Sequence, residues 1–397
     1  MHKITAMEKF RTISFKNYKA FEDFTIDCGD FQWTVLLGNN NTGKTSLLKA
    51  IAALHPFDIM DEKTNKITKI PSCHYLDINQ TCEVWSELDN RHRWAYTFTS
   101  GSDYVSISKD YKNDLKDFHL FAYGVSRYPS NTSLAEQQNG DCDTLFFHDK
   151  KLVNIEEWLM QLDYAASKEP AARERLEKIK KLICGNIFPE ILDVKFESKD
   201  FKNYVLFKTL DGWFKYTDLG FGYQSMLSWV VDLGKRLFEK YPNSDNPFNE
   251  SAVVLVDEID LHLHPEWQRK VIATVSRVFP NVQFIVTTHS PLVIQSMENV
   301  NLYVLKREGE KIVAEHPEIT NFSGWTVEEI LRDLMKLDDN IRSDVYQKKY
   351  KDFTDSLDAN DKEKAKAAYE TLIQILHPES SSRRILEMQL ELLLEND

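Results

Sequence analysis

This sequence has little to suggest a membrane, a disulfide framework or a broad grip on nucleic acid. None of its apolar runs approaches the ~20 residues that span a bilayer. The opening MHKITAMEKFRTISF has no apolar core of the secretion-signal kind, so a cytoplasmic protein with no membrane partner is expected. Cysteine is sparse. Cys28, Cys73, Cys82, Cys142 and Cys184 show neither CxxC pairing nor zinc spacing, and reduced, structural thiols are the expectation. Basic side chains are outnumbered, 49 against 62 acidic, for a formal net charge of −13. Such a balance repels polyanions, so any nucleic-acid contact requires a local basic patch. Sustained heptads and solenoid repeats are missing too, which leaves room for only a short helical insertion.

What is present is ordinary globular composition, 42% hydrophobic and 28% charged over 397 residues, enough for two or three domains or one large α/β core. Alternation in Thr12–Phe15 and Phe24–Asp27, around Asn17-Tyr18-Lys19-Ala20, predicts two strands. A third, Trp33–Leu37, runs into a glycine-containing loop before a helix over Ser46–Ala52. Short β-type stretches between Cys73 and Ile107, among them Cys82–Trp85 and Trp94–Phe98, predict an antiparallel layer. Ser126–Asp143 is polar and reads as a loop, whereas Asn154–Ile187 has helical spacing in Ile155, Trp158, Leu159 and Leu162. Ala252–Val256 and Val282–Thr287 are almost wholly apolar, as parallel strands covered on both faces are, with Pro265–Val278 as the crossover helix. Beyond Phe322 only helices are expected, started by the capping pairs Thr326/Glu329 and Asn360/Glu363, interrupted at Pro378 and closed by an amphipathic run over Arg384–Leu394.

Four segments carry chemistry. Gly38-Asn39-Asn40-Asn41-Thr42-Gly43-Lys44-Thr45 matches GxxxxGK[ST] between a strand and a helix opened by Ser46, the context in which backbone N–H groups and a helix start hold phosphate. Lys44 is then expected at the β- and γ-phosphates of ATP, and Thr45 on Mg2+. Val253-Val254-Leu255-Val256-Asp257-Glu258 ends an apolar strand in two carboxylates, Asp257 placed for the metal and Glu258 for the attacking water. His289, after Thr287-Thr288, tips the next strand and can face the γ-phosphate or that water. Asp218-Leu219-Gly220-Phe221-Gly222-Tyr223-Gln224-Ser225 opens a helix. Gly220, Gly222 and Ser225 make either an anion-binding nest or a plain helix-start turn.

In their chain order of phosphate loop, glycine-rich helix start, carboxylate pair and histidine, the four segments resemble the ATP-binding-cassette superfamily, specifically its SMC-like ATPases without transmembrane partners. The stretch Asp257–Pro265, together with Ala122–Arg127 and Leu219–Ser225, is similar to a bacterial subgroup of predicted ATP-binding proteins that includes ATPase subunits of Septu-type phage-defence systems. The resemblance implies an α/β P-loop ATPase head over residues 1–321, with an antiparallel β layer and a helical insertion at about 150–190. It leaves 322–397 as an α-helical extension for oligomer or partner contacts. It further implies an ATP-sandwiched homodimer or higher homo-oligomer, Glu258 as general base, His289 as switch residue, and an HNH nuclease partner. The chain departs from the family's Leu-Ser-Gly-Gly signature, since Gly220 stands for the serine and Phe221 for a glycine, which removes a hydroxyl that would touch the γ-phosphate. No Q-loop glutamine stands out, because Gln137 and Gln138 lie well past Phe118–Tyr123; Arg127, just after that stretch, is either a phosphate sensor or a surface arginine.

Three other readings carry less. His262, His264 and His289 suit a turn with polar tips better than a zinc site. Asp338, Asp339 and Asp344 would suit an intrinsic metal nuclease, as in ATPases of the overcoming-lysogenisation-defect type, but stand in a helical region. An ABC transporter subunit would be expected to keep Leu-Ser-Gly-Gly-Gln. The basic run Arg173–Lys181 is the candidate face for nucleic acid or a partner.

Overall fold

The computed structural model describes residues 9–54, 81–88, 93–99, 105–107, 118–127, 129, 140–185, 187–199, 202–337 and 342–395. Cys73, Gln137, Gln138, Asp338 and Asp339 lie outside the described residues. The chain divides into two compact units, Met1–Val327 and Glu328–Asp397.

The first unit opens with β1 (Phe10–Tyr18), β2 (Phe21–Asp27), β3 (Trp33–Gly38), α1 (Lys44–Ala52), β4 (Thr81–Leu88), β5 (Arg93–Thr99), β6 (Val105–Ile107) and β7 (Leu120–Tyr123). There follow α2 (Asp143–Phe146), α3 (Ile155–Ala166), α4 (Pro170–Ile183), β8 (Asp193–Lys199), β9 (Lys202–Thr209), β10 (Gly212–Lys215) and α5 (Phe221–Lys240). It closes with β11 (Ala252–Val256), α6 (Pro265–Gln268), α7 (Val271–Val278), β12 (Val282–Thr288), α8 (Pro291–Gln295), β13 (Asn301–Glu308) and β14 (Lys311–Glu315).

Three sheets result. An antiparallel one is ordered β2-β1-β4-β5-β6, a second β10-β9-β8, and the third β14-β13-β3-β12-β11-β7. In the third, β13, β3, β12, β11 and β7 run parallel and β14 is the antiparallel edge. The parallel strands β3, β11 and β12 are buried at every residue, which explains their unbroken apolar character. Helix α1 lies between two sheets. Its Leu47, Leu48 and Ile51 share one core with Phe15 and Tyr18 of β1 and with Leu36, Leu255 and Ile285 of the parallel strands. Strand residues of the other parity face away. There Trp33 stacks on Phe284 at 4.2 Å and donates to Ser276 Oγ of α7.

Helix α5, 20 residues and the longest among the described residues, buries Leu227, Val230, Val231 and Leu233. It is tied to β7 by a polar chain. Tyr123 donates its hydroxyl to Asp232 at 3.0 Å, Asp232 pairs with Arg236 at 2.6 Å, and Arg236 pairs with Asp141 at 2.5 Å.

The sequence expectations need four corrections. The helix expected over Asn154–Ile187 is two, because Pro170 lacks the N–H needed to continue α3 and instead begins α4. The crossover expected as one helix over Pro265–Val278 is broken at Arg269 and Lys270, where Lys270 N–H bonds Trp267 O in a tight turn. The second sheet, β8 to β10, was not anticipated, since strands such as DVKFESK are half charged. In the second unit, α9 (Val327–Glu329) leads to a π turn over Ile330–Leu334 and then to α10 (Asp344–Asp358), α11 (Lys362–Ile373) and α12 (Ser381–Glu395). The cap of α11 is Asp361, whose carboxylate accepts from Lys364 N–H at 3.1 Å; Asn360, expected in that role, sits one residue earlier at a positive φ of 55°. This unit has its own small core of Phe353, Ala365, Leu372, Leu386 and Leu390.

The described cysteines Cys28, Cys82, Cys142 and Cys184 are free thiols. Burial pushes Cys28 up to about 12 and Cys184 to about 11, so neither is a thiolate at neutral pH. Among the described residues, no helix is long and apolar enough to cross a membrane.

Replacing Phe284 by alanine removes a fully buried ring and its stacking partner, so unfolding should cost about 3–5 kcal/mol less. Urea titration followed by tryptophan fluorescence measures the change.

Candidate nucleotide site

Parallel strands point their carboxyl ends in one direction, which gathers the segments that follow β3, β12, β11 and β7 at one rim. The phosphate loop follows β3, Asp257-Glu258 follows β11, His289 follows β12 and Gly124–Arg127 follows β7. Because β12 lies between β3 and β11, its last residues face the loop on one side and the carboxylates on the other.

Asn41 and Gly43 have positive φ, 63° and 81°. A Cβ on Gly43 would also lie 2.8 Å from the Phe21 ring, so that position tolerates only glycine. Asn39, Asn40 and Asn41 are exposed, while Thr42 is buried and donates to Asn39 O at 2.8 Å. Lys44 is 6% exposed, its ammonium donating to Gly38 O and Asn39 O at 2.8 Å each. Burial lowers its pKa to about 8, against the opposing pull of Asp257, Glu258 and Asp260. Ser46 accepts from Lys19 at 2.7 Å.

The centre of the site is Asp257, buried at 3% exposure. Thr45 Oγ1 donates to its Oδ2 at 2.8 Å, and Thr287 Oγ1 donates to its Oδ1 at 2.7 Å. Thr287 Oγ1 in turn accepts the Glu258 N–H at 2.7 Å. Glu258 has a φ of 49°, a strained conformation for a residue with a Cβ, worth on the order of 1 kcal/mol or more. Two main-chain bonds hold it there, the one to Thr287 and one from Arg127 Nη2 to Glu258 O at 2.6 Å. Arg127 is 1% exposed, so of its two readings the surface arginine is wrong; it braces the main chain of Glu258. Thr45 Oγ1 and the Asp257 carboxylate form a hard oxygen donor pair that fits Mg2+.

His289 is half-buried. Burial, then the Lys44 charge, lowers its pKa below the usual histidine value, which favours the neutral ring. Thr288 donates to Asp260 at 2.5 Å, fixing the turn beyond Glu258.

The signature glycines belong to the start of α5. Gly220 is exposed, and a Cβ on Gly222 would lie 2.8 Å from His262 O, so glycine lets α5 sit directly on the turn after the carboxylates. Ser225, expected to line the same surface, is buried on the inner side of α5 at 4% exposure. His264 caps α6, its Nδ1 accepting from Glu266 N–H at 3.4 Å. Among the described residues no three His, Cys, Asp or Glu side chains group as a metal site, which disposes of the His262, His264 and His289 cluster. The functional residue that sequence reasoning passed over is Thr287. Its signal was a hydroxyl at the end of an otherwise apolar strand.

Residues 33–295 match the protein family described as "AAA domain, putative AbiEii toxin, Type IV TA system". The chain belongs to this family. It is 34% identical to the Septu protein PtuA of Bacillus thuringiensis over 190 residues, covering 47% of this chain and 48% of that protein. It is 25% identical to the Septu protein PtuA of Bacillus mycoides (strain KBAB4) over 332 residues, covering 82% and 44%. It is 35% identical to the "Retron Ec83 probable ATPase" of Escherichia coli over 176 residues, covering 43% and 31%. The chain thus spans less than half the length of these relatives. Among solved structures, the SMC head domain from Thermotoga maritima aligns at a TM-score of 0.44 and 14% identity, covering 78% of this chain and 100% of that chain. The SmcHead bound to the C-winged helix domain of ScpA aligns at 0.48 and 11%, covering 78% and 98%. As a family member the chain contains an AAA-type domain, and it shares sequence kinship with PtuA.

Thr287→Val removes the one hydroxyl that bonds both carboxylate residues while keeping β-branching and burial. ATP turnover should fall about 10- to 100-fold with little change in nucleotide affinity, as judged by steady-state hydrolysis alongside equilibrium binding.

Proposed function

We propose that the chain is the ATPase component of a Septu-type anti-phage complex, forming an ATP-sandwiched homodimer or higher homo-oligomer and controlling a partner nuclease of the HNH type. The observation that carries the hydrolytic part is the bonded series Thr45, Asp257, Thr287 and Glu258 at three neighbouring strand tips. Kinship to PtuA supports the defence role.

In this reading the loop N–H groups and Lys44 hold the phosphates, and Thr45 and Asp257 hold Mg2+. The ion supplies charge neutralisation on the phosphate oxygens. Glu258, half-exposed at the rim, takes the proton from the attacking water. His289, being neutral, orients that water or a γ-phosphate oxygen by hydrogen bonding. Gly220 and Gly222 offer main-chain N–H groups to the nucleotide of a second copy. Without the usual serine hydroxyl, turnover is slow and suits a switch. The helical unit is assigned to oligomer or partner contacts, supported by Ile385, Met388 and Leu392, which are exposed on α12 at helical spacing.

Glu258→Gln keeps the size and main-chain bonds of the residue but removes its basicity. Hydrolysis should drop at least ~100-fold, while ATP binding persists and ATP-bound dimers accumulate on size-exclusion chromatography. Undiminished hydrolysis would sink the assignment of Glu258. Plasmid cleavage by the isolated chain would move the nuclease into this protein.

A further inference from the structure

The sheet formed by β8, β9 and β10 has two unlike faces. One carries Val194, Val205 and Phe207, all buried, with Phe196 packed beside Leu162, Ala165 and Leu176 of α3 and α4. The register places Lys208 opposite both Asp193 and Trp213, Leu206 opposite Lys195 and Lys215, and Tyr204 opposite Glu197, so these share the other face. On it Lys199, Lys208, Lys215 and Trp213 are exposed, and Lys195 and Tyr204 are half-exposed. The lysines and rings interleave. Lys195 Nζ lies 4.3 Å and Lys208 Nζ 5.8 Å from the Trp213 ring centre, and Lys215 Nζ lies 4.5 Å from that of Tyr204. The acidic members are Asp193 and Glu197, the latter paired with Lys195 at 2.5 Å, so the face is basic on a chain of net charge −13.

The basic run Arg173–Lys181, a candidate contact face on sequence grounds, is largely committed to the fold. Lys178 bonds Glu174 and Asp245 O, Arg175 lies 5.5 Å from the Phe238 ring, and Lys180 lies 5.5 Å from Phe196.

We propose that the open face of the β8–β10 sheet binds single-stranded nucleic acid, with phosphates at Lys199, Lys208 and Lys215 and bases stacked on Trp213 and Tyr204. Lysines supply the complementary charge, and the partly exposed rings of Trp213 and Tyr204 supply sequence-tolerant stacking of the kind single strands use once the lysines over them turn to phosphate. A duplex hides its base faces, and an acidic peptide would use the lysines but not the rings. Because phosphates and base faces are common to both nucleic acids, thymidine and uridine oligomers should bind alike.

The test is fluorescence anisotropy of a labelled thymidine oligomer of about 15 nucleotides with the full chain at low salt. Saturable binding is expected, weakened at least ~tenfold and made less salt-dependent by Lys208→Glu with Lys215→Glu. Trp213→Leu should weaken it about tenfold at an unchanged salt slope. Basal ATP turnover of each variant should match the parent, which checks that the fold is intact. The proposal is overturned if the parent chain does not bind, if the variants bind as tightly as the parent, or if a duplex or a polyglutamate peptide competes as well as the uridine oligomer.

Discussion

A buried carboxylate with too few hydrogen bonds is expensive, and Asp257 is the point on which this molecule turns. Its charge is satisfied by two threonine hydroxyls from different elements, Thr45 at the start of α1 and Thr287 in β12. Both must arrive at the same rim, which requires parallel strands in the order β3, β12, β11 and a helix that starts directly after the phosphate loop. The wholly apolar strands and the core around α1 serve that requirement. They allow three backbone segments far apart in sequence to meet within hydrogen-bonding distance.

Legibility in the sequence followed the locality of the signal. The phosphate loop, the apolar strands and the carboxylate pair were readable because each is a contiguous pattern with a single physical purpose. Thr287 was not, since a threonine at a strand end is ordinary until its neighbours are known to be Asp257 and the Glu258 amide. Arg127 was undecided for the same reason: its role depends on where β7 ends relative to β11. The sheet β8 to β10 escaped notice because one face is apolar and the other is lysine and aromatic, which blurs the alternation that marks a half-buried strand. Helix breaks at Pro170 and Lys270 were missed where apolar periodicity continued across the break.

Charge is distributed unevenly, and this qualifies the overall −13. Two arginines are spent inside, Arg236 between Asp232 and Asp141 and Arg127 beneath Glu258. Lysines are displayed, most notably on the open sheet face. Arg suits the first task because its planar fork satisfies several acceptors at low hydration cost, while an exposed ammonium remains available to a phosphate.

Tyr123 belongs to two parts of the molecule at once. Its carbonyl accepts the Asp257 amide, and its buried hydroxyl reaches Asp232 on the helix that begins with the signature glycines. That helix and the peptide of Asp257 are therefore anchored to the same strand residue. The tyrosine is a strut: for helix and rim to shift apart, one of these two bonds must break.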